Sequence, residues 1–174
     1  MDGDAGGNKL HEIYHSGLRN MHALEQSAIE LTERQTERLE NYPQMKARLA
    51  QHHTESVEQA RRLEAILERH GTSPSSAKNA VSSAVGNVAA ALHAPAPDEI
   101  LKNTFANFAF EHQEIAAYTS LIAMAEQVGD TAAVPLLRQS LSEEQAMATF
   151  IEQEIVPTTR RYMELTQAGR VAGV

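Results

Sequence analysis

The residues of this chain best suited to chemistry are glutamates. Glu25, Glu55, Glu111 or Glu114, and Glu144 fall near the midpoints of four long helix-forming segments. In antiparallel helices, midpoints meet at one level. Carboxylates gathered there cannot all stay ionised in a dry core, because their repulsion and lost hydration are large. Protons or cations must compensate them. Two divalent or trivalent metals are the economical solution, and oxygen ligands joined by imidazole suit iron or manganese.

His52 supplies the imidazole. It shares a stripe with Met45, Leu49 and Ser56, and Glu55 follows it by three residues, so both can point to one site. The order His52-x-x-Glu55 reverses the usual Glu-x-x-His of di-metal bundles. The plainer reading is a buried histidine bonded to a neighbouring helix. His53 reads as solvated or at a helix interface. On the third helix Glu111 and Glu114 are one turn apart and can both reach a metal pair. Tyr118, four residues beyond Glu114, can hydrogen-bond to it and is the candidate catalytic side chain; packing is its alternative. His112 reads at most as a support to the ligands. On the fourth helix Glu144 fits the inner stripe better than Glu143. Met147 stands where the histidine of a Glu-x-x-His pair would fall, and a thioether is a poor ligand for hard oxidised iron.

The elements that must position these residues are helices. The composition favours strong helix formers and includes only 5% aromatic residues and no tryptophan. Residues 1–9, polar and glycine-containing, predict a flexible tail. Leu18, Met21, Glu25, Ala28 and Thr32 recur at helical spacing and predict a first helix over 10–38. Asn41 can cap a second over 43–70, with Pro43 in its first turn and His70-Gly71 as its stop. Val81, Val85, Val88 and Leu92 suit a short helix over 75–92, ended by Pro95 and Pro97.

A third long helix spans about 97–128, opened by Asp98 or its neighbour and stopped at Gly129-Asp130. The fourth runs from 131 to 154 or on to 166, with Pro157 kinking it or starting a separate turn. Residues 167–174 predict a second loose tail. Short loops make each pair of helices antiparallel. The long segment between the pairs can cross the whole bundle, which is ferritin-like connectivity. The expected fold is therefore all-α: one four-helix bundle domain over 10–166, made of two hairpins and a long crossover with a short helix.

Composition narrows the function classes. A length of 174 residues suits one domain, and a formal net charge of -8 argues against nucleic acid as a partner. The chain has no cysteine, which excludes thiolate sites and disulfides. No run of 18 apolar residues is present and the first residues do not read as a signal peptide, so no membrane partner is expected and the cytoplasm is the default location. Phosphate-binding glycine loops, nucleophile elbows and His-Glu-x-x-His motifs are absent.

Four stretches resemble the YciF-like family of ferritin-like proteins, across roughly residues 10–155. They are Ala23-Leu24-Glu25-Gln26, the run from His52 through Glu55 to Glu64, Glu111-His112-Gln113-Glu114-Ile115-Ala116-Ala117-Tyr118, and Leu136 through Leu141 to Glu144. The third is the most specific. The resemblance implies kinship in fold with rubrerythrins and other di-iron proteins, a stress association and a homodimer. Ala116 and Leu121, outside the inner stripes, would suit its interface. Carried over by position, the resemblance implies metal ligands at Glu25, His52, Glu55, Glu111, Glu114 and Glu144, holding two iron ions, manganese or a mixed pair. The implied reaction is with oxygen or peroxide. Storage without turnover, or a structural role around a degenerate site, are the competing readings, motivated by Met147 and by the lack of a cysteine-based electron-transfer module.

Overall fold

The structure, a computed structural model, describes residues 3–74 and 96–174, with side chains from residue 7 onward. The expected short helix at 75–92 lies outside the described residues. Those described form four helices and no strand: α1 (Gly3–Arg38), α2 (Pro43–Arg69), α3 (Glu99–Val128) and α4 (Val134–Gln167). None of them is long and apolar enough to cross a membrane.

Each helix buries one stripe at spacings of three and four. On α1 it runs Tyr14, Leu18, Met21, Glu25, Ala28, Thr32, Gln35; on α2 Met45, Leu49, His52, Ser56, Gln59, Leu63, Ile66. On α3 it runs Ile100, Thr104, Asn107, Glu111, Glu114, Tyr118, Leu121, Ala125; on α4 Leu137, Ser140, Glu144, Met147, Ile151. Such stripes are what an amphipathic helix turns toward a core. Apolar side chains collect in two clusters, one with Leu18, Leu63 and Leu137 and one with Leu49, Ile100 and Ile151. Polar members of the stripes fall between them.

Pairings across the bundle fix its connectivity. Glu25 meets Tyr118 and Gln35 meets Asn107, so α1 and α3 are antiparallel. The C-terminus of α2 lies beside the end of α3, where His70 and Arg69 bond Asp130. The start of α3 lies at the other end, where the Ile100 amide donates to Gly173. The two hairpins are thus joined across the length of the bundle, as ferritin-like connectivity requires. Gly129 closes α3 at φ 78°, a left-handed conformation that glycine takes without steric cost. Gly17 has a different role: a Cβ there would sit 2.9 Å from Leu121 Cδ2. Leu121 is therefore buried between α1 and α3, not left on an outer face for a second subunit.

Both ends depart from expectation. Helix α1 begins at Gly3, well inside the segment read as a tail. Glycine disfavours helix by about 1 kcal/mol per residue, but extending an existing helix adds a hydrogen bond per residue and needs no new nucleus. At the other end, residues 169–174 dock. The Tyr42 hydroxyl donates to the Ala172 carbonyl at 2.5 Å, and the Asn41 amide group donates to Val171 and Val174. Asn41 is therefore committed to that segment; Tyr42 precedes α2 and makes no side-chain cap bond. Helix α4 continues through Pro157 to Gln167. Pro157 is exposed, as is Gln153, so water can take the carbonyl that proline leaves without a donor.

Replacing Tyr42 with phenylalanine should leave the buried Ala172 carbonyl unpartnered and cost about 1–3 kcal/mol. Urea unfolding measures this. An unchanged midpoint would mean that the docked segment contributes nothing to stability.

Candidate metal centre

Between the two apolar clusters the stripes of all four helices turn polar. His52 on α2, Glu111 and Glu114 on α3 and Glu144 on α4 each offer a ligand atom within 4.8 Å of the others. His52 Nε2 lies 3.3 Å from Glu111 Oε2 and 3.6 Å from Glu144 Oε2. Glu25, from α1, accepts a 2.5 Å hydrogen bond from the Tyr118 hydroxyl. Glu25, Glu114 and Glu144 are fully buried, and His52 and Glu111 nearly so.

These carboxylates are short of partners. Both oxygens of Glu114, both of Glu144, Oε2 of Glu25, Oε2 of Glu111 and Nε2 of His52 are buried without a hydrogen bond. Such groups are rare in folded proteins, and each calls for an ion, a proton or a water. Without a cation, protons fill the need. Burial pushes the Glu25 carboxyl up to about 8, against the opposing hydrogen bond from Tyr118. Burial likewise lifts Glu144 to about 9, and it lifts Glu114 well above the carboxylate range with help from Glu25 and Glu144. For His52, burial opposes charge, but the nearby Glu111 carboxylate, the hydrogen bond to Glu55 and the Glu144 charge outweigh it and raise the ring to about 10.

The remaining candidates are placed differently. Glu55 is turned to Arg48 at 2.9 Å, Gln51 at 2.7 Å and His52 Nδ1 at 3.1 Å, and it is not among the four converging residues. Hydrogen bonding from His52, then from Arg48, holds it down at about 2 in spite of partial burial. Tyr118 bonds Glu25 on α1, not Glu114 on its own helix. Glu143 is gripped by Arg62 at 2.6 and 2.9 Å. His53 meets Thr32 and the Ile29 carbonyl, and His112 bonds the Phe108 carbonyl on an exposed face. Met147 is buried and packs with Ile151.

Some polar neighbours escaped the sequence reading. Ser56 and Gln59 are fully buried beside the centre, each with an oxygen lacking a partner. Their place on the α2 stripe, in line with His52, was the available signal. Arg62 bonds Ser140 as well as Glu143, closing the α2–α4 side with charge; nothing in its spacing distinguished it from a solvated arginine. The donor set itself, carboxylate oxygens with one imidazole, fits a hard or borderline cation such as iron or manganese.

Four long helices around a buried carboxylate and imidazole cluster define a ferritin-like bundle with a candidate metal centre. The family described as "Domain of unknown function (DUF892)" matches residues 9–164, and the chain belongs to it. A solved protein of Xanthomonas campestris pv. campestris is similar with a TM-score of 0.76 and 25% identity, over 91% of this chain and 99% of its own. The E. coli stress protein YciF is similar with a TM-score of 0.73 and 19% identity, over 84% and 94%. A Desulfovibrio desulfuricans bacterioferritin, described with a diiron site, is similar with a TM-score of 0.70 and 18% identity, over 97% and 91%.

The proton-holding cluster sets a pH dependence for the metal-free protein. Glu25 and Glu144 fall to their ordinary 4.5 on unfolding, and His52 to 6.5. Their contribution to stability is full below those unfolded values and is lost as pH rises through about 8 to 10. Glu55 acts oppositely, but its contribution is lost only as pH falls from 4.5 through about 2. Thermal unfolding in chelator should therefore show higher stability near about pH 5 than near about pH 9. The reverse order would count against a protonated cluster.

Proposed function

We propose that this chain is a ferritin-like metal-carboxylate protein that holds two iron ions, or manganese or a mixed pair, and reacts with oxygen or peroxide. The observation that carries the reading is the set of buried oxygens without a hydrogen bond on Glu25, Glu111, Glu114 and Glu144, with the last three converging on His52. A bundle core has no structural use for so many uncompensated acceptors. His52, Glu111, Glu114 and Glu144 would hold the metal, with Glu25 adding its free oxygen. The diiron site described for the bacterioferritin neighbour supports this reading. The E. coli neighbour's description as a stress protein supports a stress association.

Iron bound in this way supplies electrons to an oxidant. The protein's own part is to hold ligand charge, keep water out and manage protons. Glu25, Glu114 and Glu144 surrender protons when a cation takes their place. The Tyr118 hydroxyl stays bonded to Glu25 and fixes its orientation. A second reading, metal storage without turnover, is favoured by Met147 in the position where a second imidazole would stand.

Replacing Glu144 with glutamine keeps the shape and removes one negative charge. The variant should stay folded but lose metal affinity by more than the roughly 10–100-fold cost of losing an outer hydrogen-bond partner. Metal content after loading with ferrous iron checks this. Near-ultraviolet absorbance after adding oxygen then separates the readings, since repeated oxidation favours turnover and a single stoichiometric change favours storage. Unchanged metal content in E144Q would remove Glu144 from the site.

A further inference from the structure

We propose that Glu55 is not a metal ligand but a positioning residue, which with Arg48 and Gln51 holds the His52 ring so that Nε2 faces the carboxylates. The proposal rests on the metal reading above and deepens it. Its ground is how the oxygens of Glu55 are used. Oε2 takes the Arg48 guanidinium at 2.9 Å and His52 Nδ1 at 3.1 Å, and Oε1 takes the Gln51 amide at 2.7 Å. Both oxygens are occupied, whereas those of Glu114 and Glu144 are free.

The imidazole stands between Glu55 and the cluster. One ring nitrogen faces Glu55, and the other lies 3.3 Å from Glu111 and 3.6 Å from Glu144. A proton on Nδ1 donated to Glu55 leaves the Nε2 lone pair for a cation. This is how a ligating histidine is normally fixed in tautomer and angle, by a carboxylate behind it.

An ordinary surface ion pair is the alternative, and burial argues against it. The Arg48 side chain is 14% exposed and that of Glu55 20%, whereas the Arg61–Glu58 pair on the same helix is 65% and 49% exposed. Arg48, Gln51, His52 and Glu55 lie at i, i+3, i+4 and i+7 of α2, so they share one helix face. The ring is therefore oriented by its own helix. The reversed order His-x-x-Glu has a physical meaning here: the glutamate one turn on turns back to its histidine and does not reach the metal beside it.

The test uses the full chain, zinc as a diamagnetic probe, and manganese and ferrous iron as further probes. Long-range proton–nitrogen correlation spectra of the zinc form should show His52 with its proton on Nδ1 and the metal on Nε2. E55A should weaken zinc binding roughly 10–100-fold and blur or invert that tautomer signature. E55Q, whose amide oxygen can still accept from Nδ1, should recover most of the affinity and the signature. R48M, which keeps the stem and removes the guanidinium, should fall between wild type and E55A. Circular dichroism confirms the fold of each variant; if E55A does not fold, E55Q and R48M decide by the same criteria. E55Q losing metal as fully as E144Q would make Glu55 a ligand and overturn the proposal while leaving the metal reading intact. Wild-type affinity in E55A, or in both E55Q and R48M if E55A does not fold, would overturn it in favour of an ordinary ion pair. Failure of the wild-type chain to take up zinc, manganese or ferrous iron would overturn the metal reading, and the proposal with it.

Discussion

A layer of buried carboxyl groups at mid-height is the constraint around which the bundle is arranged. Glu25, Glu114 and Glu144 are wholly out of water, and Glu111 nearly so, with one imidazole among them. Oxygens in that position must be met by protons or cations, so the interior cannot be one continuous apolar core. It is split instead into an upper and a lower hydrophobic cluster, each of which brackets the polar layer. Long helices follow from the same requirement, because a short bundle would expose the layer to solvent at one end.

The two ends are fastened by different means. At one, Asp130 gathers Tyr14, Arg69 and His70 from the other hairpin and also accepts from the Ala133 amide at the start of α4. At the other, Tyr42 and Asn41 hold residues 171–174, and Arg38 grips Glu99 with two hydrogen bonds. Between them the Gln35 and Asn107 side chains exchange amide hydrogen bonds in the interior. The polar layer is thus framed above and below by contacts that tie separate helices together.

Helix periodicity made most of this legible in the sequence. The inner stripes carried Glu25, His52, Glu114 and Glu144 into the core as their spacing required, and Met147 packs as its chemistry implied. Direction within a stripe was not legible. Glu55 sits three residues from His52 and reads by spacing as a second ligand, while its oxygens meet Arg48 seven residues upstream, Gln51 and His52 Nδ1. Tyr118 lies one turn from Glu114, yet its partner is 93 residues away on α1. A local spacing rule sees neighbours along one helix, and which neighbouring helix comes closer is decided by packing. The docking of residues 169–174 was hidden for a related reason: small, weakly apolar residues carry no periodicity, and the segment is held through its own backbone carbonyls, which accept from the Asn41 side-chain amide, the Asn41 and Ile100 backbone amides and one tyrosine hydroxyl.

Closure of the lower end has a consequence for the order in which the fold assembles. The segment that closes it follows α4 in the chain, and its contact with Asn41 spans 133 residues. Contacts so distant in sequence are the last a chain can make and the slowest to find. The contacts that join the two helices of each hairpin are closer in sequence, so the hairpins can form before residues 171–174 reach the face beside Tyr42 and Ile100.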